Sequence, residues 1–398
     1  MAAAGLSGHE LSDLCLGKPP PRSLSVRDTV ADALAALKRI DDTYVSVWNC
    51  NHSFIRKQQP QIKSQEQLQC CCTCIGKVCM VDIICFLSKP QNLSSPSAAF
   101  LSPISALLHD NSAVLVRHLP PTTSLLEAID VMHEGVQNLV IPIQIQFESL
   151  NSNNVHHNNN TTYCWLTQED VFRYLLNSIG VFSPTPGNPI NTLGVIDTQN
   201  LFAVCYDDPA SSILDLLALS LLYQSSIAIV DPNGKFGGEI SPVMLNSCDE
   251  SVVPAIATLS AGDLTAYIDC GGPPEDLVQL VKERVKEKVE EQNLLELLGD
   301  ETTGTGLTSW SSFSSSCSSD EEFCSGKNWK LGGYSAGVGR RSEAIVCYRW
   351  SSLVAVMIQA LAHRVSYVWV VEEDGTLTGI VTFQGMLKVF RDHLKSMC

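Results

Sequence analysis

Residues 344–394 hold one complete strand–helix–strand–strand–helix unit, and such a unit cannot stand alone. It cannot bury both faces of its small sheet, so a lone copy would be unstable. AIVC at 344–347 is a short apolar run ahead of Ser351 and Ser352, whose hydroxyls suit the free N–H groups of a first helical turn. Leu353, Met357, Ala360 and Leu361 follow at helical spacing and make one apolar face. VSYVWVV at 365–371 is β-branched and aromatic, as a buried strand should be. Asp374-Gly375 supplies the left-handed conformation of a tight turn, and LTGIVT at 377–382 returns as the second strand. Met386, Leu387, Val389 and Phe390 stripe a closing helix.

The rest of the chain repeats this order. After an N-terminal tail at 1–14, repeat one covers 15–90. Asp28 or Thr29 caps its first helix, TYVSVW at 43–48 echoes SYVW at 366–369, and a polar insertion at 49–69 interrupts the hairpin. Repeat two covers 107–180, with the low-complexity insertion NSNNVHHNNNTT at 151–162 in the same place. An insertion at a hairpin tip costs little, which strengthens the repeat reading. Repeat three, 195–272, has an uninterrupted hairpin, but Pro242 and Pro254 displace or reshape its closing helix. A charged amphipathic helix at 273–299 and a Ser/Gly-rich linker at 300–339 lead to repeat four at 340–398.

At 398 residues the chain needs two or more packing units, and 45% hydrophobic residues can fill them. A net charge of −16 weighs against duplex DNA or RNA, whose phosphates call for clustered Lys and Arg. No apolar run reaches the ~18 residues of a membrane span, and the N-terminus lacks the pattern of a signal peptide. Sixteen irregularly spaced cysteines fit reduced thiols, so a cytoplasmic or nuclear location is expected. Cys70, Cys71, Cys72, Cys74 and Cys79, with Cys50 and His52, lack a second CxxC pair, and no metal is expected there. No nucleophile–base constellation or phosphate loop follows a suitable strand, so a catalytic activity is not expected.

The element order, with GIVT at 379–382 opening the last helix, resembles a cystathionine-β-synthase (CBS) domain. Four such units with no catalytic domain resemble the γ subunit of AMP-activated protein kinase (AMPK), and most of all the plant four-repeat CBS proteins of that superfamily. The resemblance implies an α/β (α+β) fold: four CBS repeats paired into two Bateman modules, small sheets packed against helices. One is expected to pair with two and three with four, their sheets packing through the helices. It further implies a non-catalytic regulatory protein, with AMP, ATP or an S-adenosyl nucleoside as candidate ligand. The implied partner is a protein kinase catalytic or scaffolding subunit, with neither nucleic acid nor membrane. The alternative is an interaction scaffold with degenerate clefts, docking through its insertions or the 273–299 helix.

In that family an Asp early in the closing helix holds the ribose, six residues after a Gly and three after a Ser or Thr. Asp82 follows Gly76, with Cys79 replacing the hydroxyl; Asp170 follows Thr167, with Cys164 replacing the Gly. Met244 and Gly385 stand there in repeats three and four, the latter after Thr382. The family's phosphate-binding His-Arg pair occurs in repeat four as His363-Arg364. The ligand-binding candidates are therefore Asp82, Thr167, Asp170, His363, Arg364 and Thr382. Asp82 and Asp170 also suit plain helix caps, and His363-Arg364 suits a helix C-terminus without any ligand. In the linker, Ser318 and Ser319 precede Asp320, Glu321 and Glu322, as an acid-directed kinase would require; an unregulated tether fits the same composition.

Overall fold

Parallel pairing of the first two strands in each repeat demands a crossover, and a helix supplies it every time. The protein, a computed structural model, is described over residues 9–39, 43–49, 72–108, 115–144, 161–268, 273–287, 294, 297–298 and 344–397. Outside those residues lie almost all of both insertions, the 300–339 linker with Ser318 and Ser319, and Cys50, His52, Cys70 and Cys71.

The described chain opens on a one-turn helix, α1 (Leu11–Leu14). Repeat one follows as β1 (Ser23–Ser25), α2 (Val30–Lys38), β2 (Tyr44–Asn49), β3 (Thr73–Cys79) and α3 (Met80–Leu87). Thr29, not Asp28, caps α2. Its hydroxyl takes the Asp32 N–H at 3.2 Å while the Asp32 carboxylate takes the Thr29 N–H at 2.9 Å. Repeat two is β4 (Val116–His118), α4 (Leu125–His133), β5 (Asn138–Gln144), β6 (Thr161–Thr167) and α5 (Gln168–Asn177).

Repeat three runs β7 (Ala203–Cys205), α6 (Ile213–Tyr223), β8 (Ile227–Val230) and β9 (Phe236–Ile240). Its closing helix is broken into α7 (Pro242–Asn246), α8 (Val252–Thr258) and α9 (Ala261–Ile268), with Pro242 and Pro254 each in the first turn of a piece. After α10 (Glu275–Glu287), repeat four is β10 (Val346–Cys347), α11 (Leu353–His363), β11 (Tyr367–Val371), β12 (Leu377–Thr382) and α12 (Phe383–Met397). Gly375 turns the last hairpin at φ 84°.

Strand alternation decides how the repeats assemble. In β2, Val45 and Val47 point to the helices, while Trp48, with Tyr44 partly buried beside it, faces the sheet of repeat two. In β11, Val368 and Val370 point to the helices, while Tyr367 and Trp369 face the sheet of repeat three. The pairs one–two and three–four are as expected, but the route is not: paired sheets meet face to face. The helices pack the other way, joining repeats one and three in one core and two and four in another. Phe172 of α5 stacks on Phe383 of α12 at 4.3 Å, and Lys38 of repeat one bonds Glu250 of repeat three at 2.6 Å.

Two boundary expectations need correction. Residues 9–18 are neither a free tail nor the start of repeat one, because they dock on repeat two. Leu11 N–H donates to the Thr123 carbonyl and Leu125 N–H to that of His9, both at 3.0 Å, and Leu11 is fully buried. The 273–299 segment is not a free docking surface on its apolar side: Val281 and Val285 are buried in the one–three core. Arg284 of α10 also donates to the Thr258 carbonyl at 2.7 Å.

Candidate functional site

Each closing helix starts with the same cap. Thr167, Ser241 and Thr382 offer a hydroxyl to the third helical residue, and Cys79 stands at that place in repeat one. Asp82 and Asp170 are therefore third residues of their helices, within the first turn. Asp82 accepts from the Cys79 N–H at 2.7 Å; Asp170 accepts from the Thr167 N–H at 2.8 Å and its hydroxyl at 3.0 Å. In repeat four the Thr382 hydroxyl takes the Gly385 N–H at 3.2 Å. Both carboxylates are cap partners, as their position at a helix start favours.

What lies over these caps differs sharply between repeats. In repeat four, Asp197 and Ile380 exchange backbone hydrogen bonds at 2.8 and 2.9 Å, laying residues 195–197 across the hairpin. A Cβ on Gly379 would stand 2.5 Å from Ile196 Cγ2, and one on Gly385 3.2 Å from the Val195 carbonyl oxygen. The two glycines admit that backbone, which occupies the place where a ribose carboxylate would project, and Thr382 is spent on its cap.

Repeat two is covered in the same manner by the segment ahead of repeat one. Lys18 Nζ pairs with the Asp170 carboxylate and donates to the Trp165 carbonyl at 3.2 Å. Three residues earlier, Cys15 is buried in the same apolar core as Cys164. In repeat three, Met244 is buried at the equivalent place. Repeat one differs: Asp82 borders a cavity of about 220 Å³ shared with Phe86, Lys89, Leu107 and Leu108.

His363 and Arg364 do not join either carboxylate. His363 ends α11, Arg364 is its left-handed cap at φ 56°, and both are exposed. Neither side chain has a hydrogen-bond or ion-pair partner among the described residues. Cysteines 72, 74 and 79 diverge too: Cys72 and Cys74 face the one–two sheet interface and Cys79 the helical core.

Between the sheets of repeats three and four lies a buried carboxyl, Glu239, which accepts from Trp369 Nε1 at 2.6 Å and from the Tyr367 hydroxyl at 3.1 Å. Burial pushes its pKa up, with the indole and phenol donors pulling the other way. Between repeats one and two the filling is aromatic, Trp48 against Tyr163 at 4.8 Å and Tyr44 against Trp165 at 5.4 Å. Lys77 lies 5.5 Å above the Tyr44 ring, and burial lowers its pKa.

The CBS domain family matches residues 351–392, within repeat four. The chain is 42% identical to the CBS domain-containing protein CBSX5 of Arabidopsis thaliana, over 99% of this chain and 99% of that protein. The chain belongs to the CBS-domain-containing proteins. A second relative in Arabidopsis thaliana, the SNF1-related protein kinase regulatory subunit gamma-like PV42b, is 20% identical over 81% of this chain and 77% of its own length. Among solved structures, MJ1225 of Methanocaldococcus jannaschii, described as an archaeal homologue of γ-AMPK, aligns with a TM-score of 0.53. That alignment, at 13% identity, covers 96% of this chain and 100% of the other, and it shows the shared fold.

These CBS repeats thus pair into two Bateman modules, in a plant-type regulatory CBS protein related to AMPK γ subunits. Sequence reasoning missed Lys18, Cys15, Lys89 and residues 195–197 as parts of the four sites. Gly379 and Gly385 were the only signals available, since a close backbone approach needs them. Among the described residues no helix is long and apolar enough to cross a membrane.

Proposed function

We propose that this CBS protein is a non-catalytic regulator of a protein kinase complex that binds an adenosine-type ligand weakly, at the Asp82 site. The observation that carries the ligand reading is the cavity of about 220 Å³ that Asp82 shares with Lys89. Lys18 engages Asp170, Met244 fills its own place and the 195–197 backbone lies over Gly385, whereas Asp82 borders a cavity. Asp82 offers a carboxylate to ribose hydroxyls, and Lys89 on the same cavity offers a cation to phosphate. The kinase reading rests on relatedness to the γ subunits and γ-like proteins. Isothermal titration with AMP, ATP and S-adenosyl nucleosides tests the ligand; co-purification with a kinase catalytic or scaffolding subunit tests the partner.

A second reading is favoured by the filling between the sheets. Trp48, Tyr163 and Trp165 on one side, and Trp369, Tyr367 and Glu239 on the other, make both module interfaces solid. On that reading the protein is a rigid interaction scaffold with degenerate clefts. Kinase-subunit binding without any nucleotide heat would select it.

A further inference from the structure

Cys164 stands where repeats one, three and four have Gly76, Gly238 and Gly379. In repeat four that glycine admits Ile196 of the covering segment. In repeat two the side chain at that place is a thiol, and the covering segment brings Cys15 into the same apolar core. The two are 3% and 2% exposed and lie in one apolar core. Lys18, three residues after Cys15, donates to the carbonyl of Trp165, next to Cys164, so the segment is held in register on both sides of the pair. Both cysteines are free thiols.

We propose that Cys15 and Cys164 are a redox pair that closes to an intramolecular disulfide under hydrogen peroxide and latches residues 9–18 onto repeat two. Cys15, first, and Lys18 lower the pKa of Cys164, so Cys164 is the more acidic thiol of the pair and attacks as its thiolate. Peroxide reaches it when the one-turn helix α1 lifts. The Cys164 sulfur attacks one peroxide oxygen: an S–O bond forms, the O–O bond breaks, and the departing hydroxide takes up the thiol proton as water. The Cys15 sulfur then attacks the sulfenic sulfur: the S–S bond forms, the S–O bond breaks, and the hydroxyl leaves with the Cys15 proton as a second water. Two thiols give up two electrons and two protons, and peroxide is reduced to two waters. In a reducing compartment such a bond is transient, as a sensor requires.

The disulfide ties the covering segment to its site and keeps Lys18 on Asp170. Reduction leaves non-covalent contacts to hold it, among them the ion pair, buried Leu11 and the Lys18 bond to the Trp165 carbonyl. No nucleotide enters the proposal, which stands apart from the ligand reading above.

The test uses the full-length protein, treated with graded hydrogen peroxide, alkylated, digested without reduction and examined by mass spectrometry. The expected product is a peptide pair joined through Cys15 and Cys164, released by dithiothreitol and absent in Cys15→Ser and Cys164→Ser. Amide exchange over residues 9–18 should slow at least tenfold on oxidation. Independent alkylation of the two thiols at peroxide doses that oxidise the exposed Cys205 would overturn the proposal. So would a cross-link that leaves exchange over residues 9–18 unchanged.

Discussion

Lys18 Nζ sits against the Asp170 carboxylate, so the segment ahead of repeat one covers the start of the closing helix of repeat two. Both side chains are mostly shielded, at 28% and 22% exposure. An ion pair of this kind contributes up to about 1 kcal/mol. Lys18→Ala is expected to cost roughly that. Asp170→Ala also loses the cap partner of Thr167 and should cost about 2 kcal/mol, cap and pair together. Urea unfolding at neutral pH measures both, and equal losses would mean the cap contributes nothing.

Ligand binding should separate the two carboxylates. If an adenosine-type ligand sits at Asp82, Asp82→Ala weakens it by about 1.5–3 kcal/mol, the range for hydrogen bonds to a charged group. Asp170→Ala should leave affinity unchanged, because Lys18 already occupies that carboxylate. Calorimetric titration of both variants decides; a loss confined to Asp170→Ala would move the site to repeat two.

At Gly379 an added Cβ would lie 2.5 Å from Ile196 Cγ2 and 3.1 Å from the Asp197 carbonyl oxygen. Gly379→Ala is therefore expected to destabilise by about 1–3 kcal/mol through overpacking. Adding Ile196→Ala removes the nearer contact, so the double variant should be more stable than the sum of the single losses predicts. A coupling energy of about 0.5 kcal/mol or more in the cycle is the expected result. Strict additivity would show that residues 195–197 do not press on the hairpin.

Glu239 makes stability depend on pH. Burial raises its folded-state pKa above the ordinary 4.5, so the folded protein binds this proton more tightly than the unfolded chain. The stabilisation this brings is fully present below about pH 4.5 and is lost as pH rises through the folded value. Glu239→Gln keeps a neutral acceptor beside Trp369 and Tyr367 and should flatten that part of the profile. Unfolding free energies measured across pH 4 to 8 for both proteins give the comparison; parallel curves would mean Glu239 titrates normally.

Local order was legible because it is written in periods of two and of about 3.6 residues. Tyr44 to Trp48 and Tyr367 to Trp369 announce buried strands, Thr29 and Ser352 announce helix starts, and Asp374-Gly375 announces its turn. The same alternation held the correction: Trp48 and Trp369 point away from the helices, which is why sheets meet sheets. Pro242 and Pro254 marked starts of the pieces into which the closing helix of repeat three is divided, since a proline suits a first helical turn.

The sequence by itself determined the repeat, its four copies and the residue at each cap, because these depend on neighbours a few positions apart. Only the tertiary structure decided what lies beside each of those caps. Lys18 and Asp170 are 152 positions apart, as are many contacts that cross from one repeat to another, and no local period records them. Whether Asp170 is a ligand site or half of an ion pair depends on where the distant segment 9–18 lies. Burial and charge neutralisation fix that placement only once the sheets have paired and the helices have crossed.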